Sequence, residues 1–199
     1  EFAVAGIVAP YFNAASTRTY GLDIDYRQRF ALGEWGKLTG NIALTHLSSF
    51  KRTFPGGVTV EYAGSHGPTA LSGNGGMPTN RLKASLTWDM GPWSLTTQAN
   101  YVGSFANKET ADDTDCLNVY ADGVTPAPGG CKIASFTTFD LSGKYTGFKN
   151  LEIYGSIRNL TDAKAPYDPQ VYSAYHYNPI YHLQGAIGRQ YNIGAKYTF

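Results

Sequence analysis

Four sets of side chains in this sequence could do chemistry. Asp23 and Asp25 alternate along one segment, and Arg27 and Arg29 continue in the same phase. Paired carboxylates can serve as general acid and base. On a strand, however, same-face neighbours stand about 7 Å apart, and two guanidinium groups follow at once. An ion-pair network with a structural or docking role is the better reading, and a place along a substrate route is the other. Glu109, Asp112, Asp113 and Asp115 lead into Cys116. Carboxylates can hold calcium, but the spacing does not fit an EF-hand loop, so these residues read as a solvated acidic loop. His46, His66, His176 and His182 show no zinc-ligand spacing. His176 falls within Tyr172-Ser173-Ala174-Tyr175-His176-Tyr177. Such a loop could stack on a planar or sugar-like ligand, or its aromatics could simply pack on one another. Tyr172, Tyr175, His176, Tyr177 and His182 are the candidate ligand contacts. No Gly-x-Ser-x-Gly, phosphate-binding loop, dinucleotide fingerprint or Cys-x-x-Cys occurs. No enzyme, cofactor or metal site is expected.

Cys116 and Cys131 are the two cysteines. As a disulfide they would close a loop of about 15 residues, contributing roughly 3 kcal/mol and pointing to an oxidising compartment. Two free thiols are the alternative. Net charge is +1 and no Lys/Arg block stands out, so there is no electrostatic footprint for nucleic acid. Charged residues make up 16%, against roughly 25% in soluble domains. With 15 tyrosines and 23 glycines, the composition suits a β protein that meets something other than bulk water. No apolar run approaches the roughly 20 residues of a membrane-spanning helix. The sequence opens within an apolar stretch at Glu1-Phe2-Ala3, which reads as the interior of a longer polypeptide.

The elements that position these residues have a period of two. Tyr20, Leu22, Ile24, Tyr26 and Phe30 alternate with Gly21, Asp23, Asp25, Arg27 and Arg29. One face of such a strand is apolar and the other ionic. The same alternation predicts seven strands, at about 18–31, 38–50, 80–90, 93–105, 135–146, 150–160 and 188–199. Their phase puts Lys83, Asp89, Lys144, Glu152, Arg158 and Lys196 on the ionic face with Asp23, Asp25, Arg27 and Arg29. These strands have about the 9–11 residues that cross a bilayer at a tilt.

Connection lengths alternate strictly. Leu32 to Lys37, Gly91-Pro92 and Gly147 to Asn150 are short, whereas Lys51 to Thr79, Ala106 to Ala134 and Thr161 to Ile187 are long. An antiparallel meander then has tight turns at one end and long loops at the other, as outer-membrane barrels do. Aromatics on the apolar face (Tyr20, Phe30, Trp88, Trp93, Tyr101, Phe105, Tyr145, Tyr191, Tyr197 and Phe199) fall near strand ends, where barrels carry interfacial girdles. The fold class is therefore all-β: a fragment of an antiparallel transmembrane barrel, its ionic face lining the interior. With the C-terminus taken as periplasmic, the long connections are extracellular. A soluble β-sandwich is the alternative, with the apolar face turned inward.

The order of several motifs resembles that of the TonB-dependent outer-membrane receptors. The residues are Asn159-Leu160-Thr161-Asp162 after an alternating strand, and Gly188-Arg189-Gln190-Tyr191 opening the last strand, which closes on Tyr197-Thr198-Phe199. Tyr11-Phe12-Asn13 before Tyr20-Gly21-Leu22-Asp23, and Phe139-Asp140-Leu141-Ser142, are similar to further segments of the family. Thr161 departs from the family's usual large apolar residue. The resemblance implies a plugged barrel of about 22 strands, of which residues 1–199 would supply the seven at the C-terminus. It places the plug, and the TonB box that contacts the energising complex, elsewhere in the polypeptide. It also makes Tyr197 and Phe199 similar to a barrel-assembly signal. The remainder of the barrel, its plug, the TonB complex, outer-membrane lipid and a small nutrient would be the partners. Energised uptake of a siderophore, vitamin, oligosaccharide or peptide would be the function. A passive porin-like or adhesin-like barrel is the alternative, and an outer-membrane hydrolase lacks a Ser/His/Asp set on the ionic face.

Overall fold

The computed structural model describes residues 16–67, 76–112, 125, 130–168 and 177–199. In chain order its elements are β1 (Ser16–Ala31), a 3-10 turn (Gly33–Trp35), β2 (Lys37–Thr53), β3 (Thr59–Glu61), β4 (Asn80–Met90) and β5 (Trp93–Val102). Then follow β6 (Phe105–Ala106), β7 (Lys132–Ile133), β8 (Phe136–Phe148), β9 (Leu151–Arg158), the short helix α1 (Leu183–Ile187) and β10 (Gln190–Tyr197). Seven strands form one open antiparallel meander in the order β1-β2-β4-β5-β8-β9-β10; β3 adds to the end of β2, and β6 pairs only with β7. Local chemistry explains the tight ends. At Gly36 the backbone is left-handed, with φ of 85°, and any Cβ would strike the Asp89 carbonyl, so the 33–36 turn needs glycine. Asn150, with φ of 61°, closes the β8–β9 turn; asparagine tolerates that region better than most residues.

Register decides which side chains share a face. One cross-strand row reads Phe30, Leu38, Trp88, Leu95, Gly143, Gly155 and Ile193. The row one residue away reads Arg29, Thr39, Thr87, Thr96, Ser142, Ser156 and Asn192. Polarity is thus segregated along these rows, because the side-chain period is two and the register shifts, at Tyr20/Gly21 and Tyr145/Phe148, lie outside them. Among the described residues nothing packs over the centre of the apolar face: Leu22 is 56% exposed, Leu86 42% and Ile193 83%.

The seven expected strands are present, with three corrections. The fourth ends at Val102; the next residue, Gly103, donates its N–H to the Asn80 carbonyl at 2.7 Å, and a Cβ there would meet that oxygen at 3.0 Å. Phe105, expected in an aromatic girdle, is 2% exposed in a core made by the connections. The third long connection contains α1, five residues too short to leave a periodic signature.

Candidate functional site

The register places all ten charged candidates on the polar face. Asp25 stands in one row with Ala43, Lys83, Asn100 and Thr138. Asp89 stands with Lys37, Ser94, Lys144 and Tyr154. Glu152 faces Lys196, Arg158 faces Gln190, and Asp23, Arg27 and Arg29 share the phase of Asp25. The expected ion-pair network among Asp23, Asp25, Arg27 and Arg29 is not formed among the described residues; the pairs present are His66–Asp168, Lys144–Glu152 and Lys164–Asp162. Same-face neighbours on one strand are too far apart to touch, and β1 lies at the sheet's edge. Lys144 Nζ reaches Glu152 Oε2 at 3.8 Å with both side chains partly exposed, a contact worth roughly 0–1 kcal/mol. Uncharged donors do more of the bridging. Asn41 Nδ2 donates to Ser85 Oγ at 3.2 Å, Thr87 and Thr96 hydroxyls lie 2.9 Å apart, and Asn100 Nδ2 donates to Asp140 Oδ2 at 3.0 Å.

The long connections fold back over this polar face as a roof. Thr138, in phase with Asp140, donates its hydroxyl to Gln184 Oε1 of α1 at 2.7 Å. Phe136, two residues earlier on the same side, meets the His182 ring edge-on at 5.3 Å. α1 can press this close because position 185 is glycine: a Cβ there would strike the Ala165 backbone and the Phe136 ring.

Asn159 is the hub of the roof. It is fully buried and sits just beyond β9 with φ of 51°. Its N–H donates to Asp140 Oδ1 at 2.8 Å, its Nδ2 donates to the carbonyls of Ala163 and Gln184 at 2.9 and 3.2 Å, and its Oδ1 accepts from Ala163 N–H at 2.9 Å. Asp162 accepts Lys164 Nζ at 2.8 Å and the Arg189 N–H at 2.9 Å. These two interactions, Lys164 first, hold its carboxyl below the usual range. The Asn-Leu-Thr-Asp and Gly-Arg segments therefore touch and tie both feet of the third connection together. Sequence reasoning noted both motifs but gave them no such role; the left-handed backbone that Asn and Asp favour was the available signal.

A second buried cluster joins all three connections. His66 Nε2 lies 3.1 Å from Asp168 Oδ1, and both side chains are essentially inaccessible. Phe105 lies between two imidazoles, 5.9 Å from His66 and 6.4 Å from His182, stacked on the latter. Asn107 donates its N–H to the Cys131 carbonyl at 2.8 Å. Glu61 fixes the first connection. Burial raises its pKa, but Ser49 Oγ at 2.5 Å and the N–H groups of Phe50, Tyr62 and Ala63 outweigh that and lower it overall.

His182, expected as a ligand contact on a loop surface, is instead fully buried in this cluster, so no edge of its ring is open to solvent. Tyr177 is half-buried. Tyr172, Tyr175 and His176 lie outside the described residues, as does Cys116; none of the described residues is a free cysteine. No group of three potential metal ligands occurs among the described residues.

Burial lowers the His182 pKa from 6.5 to about 4, a fall that the Asp168 charge only partly offsets. An unfolded imidazole takes up its proton near pH 6.5, so acid favours the opened roof between those two values. Stability from neutral His182 is complete above about pH 6.5 and is lost as pH falls toward about 4. Protection factors of the amides at residues 183–188, which remove the intrinsic pH dependence of exchange, should fall as pH is lowered across that window. His182→Phe, which keeps an aromatic ring there, should flatten that fall; an unchanged pH profile of protection in the variant would contradict this.

A family model described as "TonB dependent receptor-like, beta-barrel" matches residues 2–160. Two solved structures are similar to the chain. One is a G324V mutant of the ferric enterobactin receptor PfeA from Pseudomonas aeruginosa, at 17% identity and a TM-score of 0.49, with 91% of this chain and 22% of that chain covered. The other is the copper transporter OprC, at 17% identity and a TM-score of 0.41, with 92% of this chain and 27% of that one covered. The chain thus spans 22% and 27% of the lengths of those two structures. No curated protein matches it.

Proposed function

Since this chain belongs to the TonB-dependent receptor β-barrel family, we propose that it forms wall and outer loops of a plugged outer-membrane barrel that imports a scarce nutrient. The segregation of polarity across seven strands carries this reading. Lipid offers no hydrogen bonds, so a spanning sheet must close on itself. The free edges of β1 and β10 are accordingly completed by other strands of the same polypeptide. The apolar face meets lipid, the polar face lines the interior and contacts the plug, and the end with short turns is periplasmic. The roof then lies on the extracellular side, where a ligand is first met. Tyr172, Tyr175, His176 and Tyr177 are the proposed ligand contacts. The charged rows with Asp25, Lys83, Lys144, Glu152 and Lys196 line the route. Tyr197 and Phe199 act in barrel assembly.

Cys116 and Cys131 are proposed to be joined in the second connection. Alkylation should label neither thiol before reduction and both after it; labelling without reduction would contradict the pairing.

Transport is tested in cells that carry or lack the whole receptor, with and without functional TonB. Growth is compared under iron starvation, cobalamin limitation and oligosaccharide limitation. A TonB-dependent advantage under one regime is expected. Equal growth throughout, or an advantage independent of TonB, would overturn the proposal and favour a passive barrel.

A further inference from the structure

The apolar face carries two charges at one end. The register shifts between Tyr20 and Gly21 through an extra residue in β2, while β1 alternates without interruption. Arg18 therefore keeps the parity of Tyr20 and Leu22 and stands on the apolar side. Its direct cross-strand partner is Lys51. Both side chains are exposed. Like charges directly opposite one another destabilise a strand pair, and neither cation is held in an ion pair among the described residues. Glu61 is opposite Lys51 on β3, but its carboxylate is committed to the Ser49 hydroxyl and the N–H groups of Phe50, Tyr62 and Ala63.

Their position narrows the missing anion. Tyr20, 58% exposed, is the next residue inward on the same face. Tyr101 and Tyr191 stand at the same end of that face. Tyrosine belts sit at headgroup depth, so one further same-face step, about 7 Å, reaches the phosphates. The pattern recurs at the other sheet edge, where exposed Arg189 donates to the Tyr191 hydroxyl at 3.3 Å. At the short-turn end the same face presents Phe30, Trp88, Trp93, Tyr145 and Tyr197, with no Lys or Arg in phase.

We propose that Arg18 and Lys51 together clasp the phosphate of a lipid headgroup at the long-connection rim of the apolar face. This rests on the reading above that the apolar face meets lipid. The two cations would otherwise repel across the ladder, and a shared phosphate turns that repulsion into two charge-assisted hydrogen bonds. A basic pair beside an aromatic belt binds phosphorylated lipid in preference to a neutral lipid with the same chains.

The test uses the full-length receptor in detergent and native mass spectrometry with phosphatidic acid, with diacylglycerol of the same chains, and with inorganic phosphate. The wild type should retain phosphatidic acid over diacylglycerol. Arg18→Gln with Lys51→Gln should reduce that retention roughly tenfold or more. The charge-preserving Arg18→Lys with Lys51→Arg should keep it, as should Lys37→Gln on the polar face. Equal retention of the two lipids by the wild type, or undiminished retention by the double glutamine variant, would overturn the proposal. Displacement of the lipid by millimolar inorganic phosphate would overturn the lipid as the source of the anion. A wild type that fails to insert into vesicles would instead sink the barrel reading.

Discussion

Leu86→Arg should destabilise the protein in a bilayer by about 2–4 kcal/mol, the cost of a cation on the lipid face of a barrel near mid-depth. Thr87→Arg, one residue further along β4, should cost less, about 0.5–1.5 kcal/mol, the worth of the hydroxyl pair with Thr96 that it removes. The contrast follows from the register alone. Leu86 lies in a row with Gly40 and Thr97 on the apolar face, whereas Thr87 lies in the row of Arg29, Thr39, Thr96 and Ser142. A long cation at position 87 enters a row already polar throughout; the same side chain at 86 must reach an interface across apolar surroundings. Denaturant titration of the full-length receptor refolded into lipid vesicles measures both values. Equal costs for the two variants would mean that the faces have been assigned to the wrong surroundings.

Asn159→Ala should have the second large effect, confined to the roof. The wild-type side chain makes three hydrogen bonds while fully buried. Alanine would strand the Ala163 N–H and the carbonyls of Ala163 and Gln184; a buried unpaired group costs about 1–3 kcal/mol. Alanine would also have to keep a φ of 51° without the local side-chain hydrogen bonds that let asparagine tolerate that region. Some relaxation of the connection would recover part of this, leaving a local loss of about 2–4 kcal/mol. Hydrogen exchange at Ala163, Gly185 and Arg189 should accelerate roughly 30- to 1,000-fold, with each factor of ten equivalent to about 1.4 kcal/mol. Exchange in β4 and β5 should not change. Asn159→Asp keeps the acceptor but turns a carboxylate oxygen toward the carbonyls of Ala163 and Gln184 in a buried site, so it should cost at least as much as alanine. Unchanged exchange at all three amides would show that Asn159 does not hold the roof.

The sheet was legible because its determinants are local. Alternation in Tyr20 to Phe30 and in Leu82 to Met90 is written residue by residue, and glycine or asparagine marks the tight ends. The roof was not, because its contacts join distant parts of the chain. His66 and Asp168 are 102 positions apart, and neither sits in a motif that announces the other. Phe105 shows how local pattern misleads. It continues the apolar phase of β5, but the chain leaves the ladder after Val102 and the side chain turns into the roof between two histidines. His182 likewise follows an aromatic-rich segment whose local pattern suggests an exposed loop. Its burial follows from Gly185, which lets α1 lie against Phe136 and Ala165. The motifs at 159–162 and 188–191 were visible, but their meaning is a contact between them, and that contact exists only after folding.

Spin labels placed singly at positions 22, 86 and 193 and at 25, 87 and 192 of the full-length receptor, reconstituted in vesicles, test the account most directly. Labels at 22, 86 and 193 should collide freely with oxygen, which partitions into the bilayer. Labels at 25, 87 and 192 should be shielded from oxygen and respond, where a collision partner can reach them, to a water-soluble paramagnetic complex. If the first three were inaccessible to both reagents, as in a dry protein core, while the second three met bulk solvent freely, the sheet would be half of a soluble sandwich and the account would fail.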